Sequence, residues 1–291
     1  MYKRIALVSA LSFSLFCYAN TPQTTDWMPE NSFTQGVEGP AVDKNGNLYA
    51  VNYSKEGTIG VITAKNTAEI FLTLKKGSIA NGIRFDQHDN MYMADYVNHN
   101  VLKYSPSSST VSIFAHNKEM SQPNDLAIMD NGILFASDPN WKESKGRLWR
   151  INKDGTSTLL EDNMGTTNGI EVSPDNKTLY VNESVQRTVW RYQLDKAGNI
   201  SNKALFHQFE NHGLDGMRTD KQGNLYIARY GAGKVAVLNP TGQLIKTIDL
   251  KGKHPTNVAF GGKSGQQVFV TMQKRGTIET FSNDIAGRLF R

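Results

Sequence analysis

The sequence predicts an all-β protein, a six-bladed β-propeller with four-stranded blades around a central channel, and three observations carry that prediction. One strand–turn–strand phrase recurs six times. Its clearest copy is Leu214-Asp215-Gly216-Met217-Arg218-Thr219-Asp220-Lys221-Gln222-Gly223-Asn224-Leu225-Tyr226-Ile227-Ala228. An acidic residue enters a short strand, a polar Gly turn follows, and a more apolar strand returns, which is β-hairpin composition. The copies align on lead residues Glu38, Asn81, Asn124, Asn168, Asp215 and Asn257, separated by 43, 43, 44, 47 and 42 residues, the period of a propeller blade. Each copy turns five residues after its lead, at Asp43, Asp86, Met129, Ser173, Asp220 and Gly262, so the leads share one register and point the same way.

The chain opens with Lys3-Arg4, an apolar run from Ile5 to Phe16, and Cys17-Tyr18-Ala19. A basic start, a short apolar core and a small-x-Ala end describe a cleavable export signal over residues 1–19. The run is shorter than the ~20 residues that span a bilayer. Residues 20–291 are then one domain, expected in the periplasm or secreted, monomeric, and without membrane attachment once the signal is removed. Cys17 is the only cysteine, so the mature chain has no disulfide, no catalytic thiol and no cysteine-ligated zinc. With 32 basic and 27 acidic side chains and no Lys/Arg cluster, nothing argues for nucleic acid.

Down the chain, a short strand near Asn31-Ser32-Phe33-Thr34 is expected to complete the last blade and remove a free sheet edge. Thr58–Ile62 and Ala68–Phe71 supply the outer strands of blade one. Val101–Tyr104 with Val111–Phe114 serve blade two, and Arg147–Ile151 with Thr158–Leu160 serve blade three. Thr188–Tyr192 and Lys234–Leu238 repeat the pattern in blades four and five. Asp43, Asp86 and Asp220 stand in Asp-x-x-[Gly/Asp]-Asn turns, where a short carboxylate caps the backbone; they are read as structural.

If each first strand is the innermost of its blade, the six leads face the channel. That ring holds two carboxylates and four amides. Buried polar groups need partners, and either waters or a hard divalent cation would supply them. Two carboxylates and amide carbonyls are oxygen donors that suit Ca2+, with Mg2+ or Mn2+ next. The absence of nitrogen and sulfur donors makes Zn2+ the last alternative.

Glu38-Gly39-Pro40, Asn124-Asp125, Thr167-Asn168-Gly169-x-x-x-Ser173-Pro174-Asp175, Leu214-Asp215-Gly216-Met217 and Pro255-Thr256-Asn257-Val258-Ala259-Phe260-Gly261-Gly262 resemble the serial motifs of the senescence-marker-protein/gluconolactonase family. The resemblance covers nearly all of the mature chain. It implies a six-bladed propeller, lactone hydrolysis with phosphotriester hydrolysis as a side activity, and metal ligands at Glu38, Asn124, Asn168 and Asp215. Asn81 and Asn257 match the ring but not those ligands; they would hold water or substrate, or cap their strands. The family's sugar-lactone members carry Arg two residues before the blade-three Asn, where this chain has Gln122, so the resemblance does not extend to an aldonolactone substrate. Asp138-Pro139-x-Trp141 is also family-like and would line the substrate pocket, and Tyr53, Tyr96 and Tyr230 follow the second strands of their blades at similar positions.

The expected chemistry is metal-assisted hydrolysis of a small lactone or ester, the ion polarising the carbonyl. Ca2+ acidifies water poorly, so a protein base is expected. Asp215 comes first for that role; His212 and His254, each three residues before a lead, come second. The alternative is a non-catalytic propeller that binds a ligand in the same channel, since fold does not imply function.

Overall fold

The computed structural model describes residues 24–290, and the expected signal at 1–19 lies outside them. The described residues form six four-stranded sheets, and their paired strands run antiparallel. Blade one comprises Ala41–Val42, Leu48–Val51, Thr58–Ala64 and Thr67–Thr73; blade two comprises Ala80–Phe85, Met91–Asp95, Asn100–Ser105 and Thr110–His116. Leu126–Ile128, Leu134–Asn140, Lys145–Ile151 and Ser157–Met164 make blade three, and Thr167–Val172, Thr178–Glu183, Thr188–Leu194 and Ile200–Gln208 make blade four. Blade five is Met217–Thr219, Leu225–Arg229, Lys234–Leu238 and Leu244–Asp249. The only helical turn among the described residues is Gln273–Arg275.

Burial follows position in the blade. Second strands such as Leu48–Val51 and Met91–Asp95 are buried at every residue because neighbouring blades cover both faces, whereas the fourth strand Thr67–Thr73 has no buried residue. The apolar core is accordingly divided into six clusters, one between each pair of adjacent blades.

Ring closure corrects the sequence expectation in place though not in kind. Pro255–Gly261, Gln267–Met272 and Thr277–Ser282 form blade six, and its fourth strand is Thr25–Asp26, paired as Thr25↔Thr280 and Asp26↔Glu279. Phe33 bridges Tyr53 and donates its N–H to Gly276 O at 3.0 Å without adding a strand to blade six. Closure falls earlier because Arg275 pins Asp26 at 2.9 Å and Glu279 at 2.6 Å, and Thr24 Oγ1 donates to Glu279 at 3.0 Å. Composition alone does not signal a two-residue strand held by ion pairs.

The lead residues stand at the entrances of the inner strands. In blades two, four and six the pairing is irregular there, between Ala80 and Ile83, Thr167 and Ile170, and Pro255 and Asn257. In blades one, three and five the regular strand starts only at Ala41, Leu126 and Met217. The residue after the lead is Gly in four blades, and packing explains it. A Cβ at Gly216 would lie 1.8 Å from Asn257 Cγ, and one at Gly82 would lie 2.6 Å from Asp125 Oδ1. At the other end of the channel the turns form as expected: Asp43, Asp86 and Asp220 each accept two backbone N–H groups of their own turn. The C-terminal segment crosses that end. Gly287 bridges Asp220, Arg288 N–H donates to Thr219 O at 2.9 Å, and Arg288 reaches Ile128 O at 3.0 Å.

Candidate metal centre and active site

Three oxygen-bearing side chains, Glu38, Asn168 and Asp215, meet at the lead end of the channel, and Asn124 shares their register. Glu38, from the turn before blade one, is 7% exposed; its Oε2 accepts from Asn257 Nδ2 at 3.0 Å and from Gly39 N–H at 2.5 Å. Asp215 is half-buried at the entrance of blade five and lies against the Glu38 carboxyl and the Asn168 side chain. Asn182 Nδ2 holds the Asp215 backbone carbonyl at 2.6 Å, a support that the sequence reading did not single out. Asn168 is 3% exposed. The Oδ1 atoms of Asn124 and Asn168 are buried without a hydrogen-bond donor.

Those two orphaned amide oxygens decide whether a cation fits. Buried acceptors without donors are costly, and two carboxyls in contact repel when ionised. A hard divalent ion relieves both costs. Among the described residues no three His, Cys, Asp or Glu side chains converge, so an ion here depends on the amide oxygens. The donor set fits one.

Electrostatics of the ion-free pair point the same way. Burial, then Asp125, pushes Glu38 up from its ordinary 4.5 to about 7. Burial, Glu38 and Asp125 hold Asp215 well above the carboxylate range, because neighbouring carboxylates cannot both ionise cheaply. A carboxyl whose folded pKa exceeds its unfolded value binds its proton more tightly when folded. That stabilisation is complete below about 4.5 and is lost as pH rises toward 7. In chelator, the melting temperature should therefore fall between pH 5 and pH 8, the Glu38–Asp215 pair together contributing on the order of a few kcal/mol. Excess Ca2+ should flatten the profile. A chelated protein equally stable at both pH values contradicts this electrostatic account.

Beneath the oxygen cluster lies a second, charged layer that the sequence reading missed. Asp125, 1% exposed, accepts from Arg84 at 3.1 Å and from Arg218 at 3.4 Å. Arg84 also approaches Glu171 at 3.6 Å, and Glu171 meets Arg288 of the C-terminal segment at 3.5 Å. Asn257 Nδ2 bridges the layers, since it reaches Asp125 Oδ2 at 3.4 Å as well as Glu38. Asn257 is fully buried and its Oδ1 caps Val258 N–H, so it is a clamp on Glu38, the strand-capping option of the sequence reading. Asn81 Nδ2 likewise donates to Asn124 O at 3.3 Å.

The other expected residues divide. Tyr230 stands near Asp215, whose charge adds to burial in raising its hydroxyl pKa. Its ring lies edge-on to His254 with centroids 5.0 Å apart, and its hydroxyl donates to Gln273 Oε1 at 2.5 Å. His212 is exposed, at φ 52°. Trp141, 44% exposed, and Tyr96, half-buried, lie in loops between second and third strands, at the same end as the leads. Asp138 lines a cavity with Ser121, Asn140 and Arg147, and its carboxylate also accepts from Ser121 N–H, Gln122 N–H and Trp149 Nε1 at 2.9, 2.5 and 2.9 Å. Tyr53 is occupied in packing as well, edge-on to Phe33 with its hydroxyl on Ala68 O at 3.1 Å.

Comparison with known proteins agrees with this architecture. The chain is 27% identical over 272 residues to a gluconolactonase of Zymomonas mobilis subsp. mobilis, covering 81% of this chain and 76% of that protein. It is 32% identical over 177 residues to the pentonolactonase XacC of Haloferax volcanii, covering 58% of this chain and 61% of that one. A calcium-binding regucalcin from Agrobacterium tumefaciens shares the fold, with a TM-score of 0.77, 19% identity, and coverage of 91% and 97% of the two chains. The description "SMP-30/Gluconolactonase/LRE-like region" matches residues 36–274, and with six blades and the lead residues in register the chain belongs to the SMP-30/gluconolactonase/LRE-like family.

Proposed function

We propose that this protein is a divalent-cation-dependent lactonase, with Ca2+ as the preferred ion, held by Glu38, Asn124, Asn168 and Asp215. The observation that carries the reading is the pair of donorless amide oxygens beside two touching carboxyls. Relatives named as a gluconolactonase and a pentonolactonase support cyclic esters as the substrate class. When bound, the ion supplies Lewis-acid polarisation of the lactone carbonyl.

The chain's own residues do the remainder. Both donors on Glu38 fix its Oε2, so that carboxyl is held to orient. Asp215 is more open and has fewer donors. It accepts the proton of the attacking water as the new oxygen–carbon bond forms, and returns it to the ring oxygen as the ester bond breaks, leaving a hydroxy acid. Tyr230 and His254 wall the mouth beside Asp215. In this reading the mature chain works outside the cytoplasm after loss of residues 1–19.

The test is acid release from a panel of γ- and δ-lactones. Turnover should be abolished by chelator and restored by Ca2+, with about one ion per chain by elemental analysis. Bound ion with no lactone opened would replace the enzyme reading with a ligand-recognition propeller.

A further inference from the structure

We infer that Arg84 and Arg218 form a counter-charge layer that limits how strongly the oxygen cluster above them holds its cation, keeping that ion under-neutralised for work on substrate. The inference rests on the proposed cation site. It is argued from buried charge. Glu38 and Asp215 belong to the oxygen cluster, and the Asp125 carboxylate stands in the layer beneath, joined to Glu38 through Asn257 Nδ2 at 3.4 and 3.0 Å. Arg84 and Arg218 both contact Asp125, and Arg218 also feels Glu38. Glu171 below is shared between Arg84 and Arg288.

Without the two arginines, the charge of Asp125 from the layer beneath would add to the two carboxylates of the cluster and over-neutralise a divalent ion. With them the upper cluster carries one negative charge in excess, and the ion-bound site keeps one positive charge that a developing oxyanion can meet. A purely structural purpose is served as well by an apolar core, since buried ion pairs replaced by packed hydrophobic residues often cost nothing. Here the pairs are 1–8% exposed and touch the ligand layer through Asn257. Arg84 and Arg218 are therefore positioning residues that act through charge.

The experiment is divalent-ion affinity by calorimetry on the full mature chain, with Ca2+ as the probe. Arg218→Met should tighten Ca2+ binding on the order of tenfold or more, the effect of one unit charge several ångströms away in a medium of effective dielectric about 20, while kcat falls. Arg218→Lys should stay within about threefold of wild type. The double variant Arg218→Met/Asp125→Asn, which restores the charge balance, should return to near wild-type affinity. Arg84→Met supplies a second route should Arg218→Met not fold: Ca2+ binding should again tighten about tenfold. A merely structural layer would loosen the ion in every variant. Loosened or unchanged binding in Arg218→Met, or in its absence in Arg84→Met, overturns the inference alone. A wild-type chain that binds no divalent ion overturns it together with the cation site.

Discussion

Asp215→Asn should lower lactone kcat by ~10²–10⁴, the range for losing a general base, with the protein folded and its ion still bound. Asparagine keeps an oxygen donor of nearly the same size and removes both charge and basicity. The readout is therefore split: kcat collapses, whereas Ca2+ affinity falls less than in Asp215→Ala, which deletes the donor. His254→Ala and His212→Ala serve as the comparison. The first loses a ring that packs on Tyr230 and the second an exposed side chain, so both should be mild. An ion-loaded Asp215→Asn protein that opens lactones at the wild-type rate would sink the base assignment and promote His254.

Asp125→Ala should cost about 3–5 kcal/mol, because it leaves Arg84 and Arg218 buried without the carboxylate they share. For a chain of this size that is on the order of 10 °C in melting temperature. Asp43→Ala, which removes a turn cap at the far end of the channel, should cost only about 1 kcal/mol, as side-chain hydrogen bonds to backbone generally do. Comparable melts for the two variants would mean that the charged layer is solvated and not a buried network.

How much of this the sequence disclosed depends on the kind of signal. The blades were legible because hairpin punctuation repeats on a fixed period, and because Asp43, Asp86 and Asp220 carry a turn chemistry that needs no tertiary context. The oxygen cluster was legible because the leads fall in one register. Arg84, Glu171 and Arg218 were not. Each stands three residues after a lead, an odd spacing that strict alternation sends to the opposite face. The irregular pairing at Asn81 and Asn168, and the late strand start after Asp215, bring them back toward the channel. What the sequence did not disclose at Asp138, expected to line the pocket, is that its carboxylate also accepts three donors of its own blade. Asn257 shared the register yet turned inward to clamp Glu38, since one amide can satisfy two carboxylates and a backbone N–H together.

The closure of blade six sets the order in which the molecule can be completed. Thr24 and Glu279 are 255 residues apart in sequence, so the first described residues to be synthesised are the last to be placed. In a chain that emerges N-terminus first, the leading strand has no partner until the last hairpin has followed it. Until then the last sheet has an open edge able to pair with another chain. Pairings this distant in sequence also place the molecule among slow folders. Completion is thus a post-synthetic event governed by two residues and the arginine that grips them, and Arg275→Ala should reveal it as slower refolding with more aggregation, out of proportion to its effect on the finished ring.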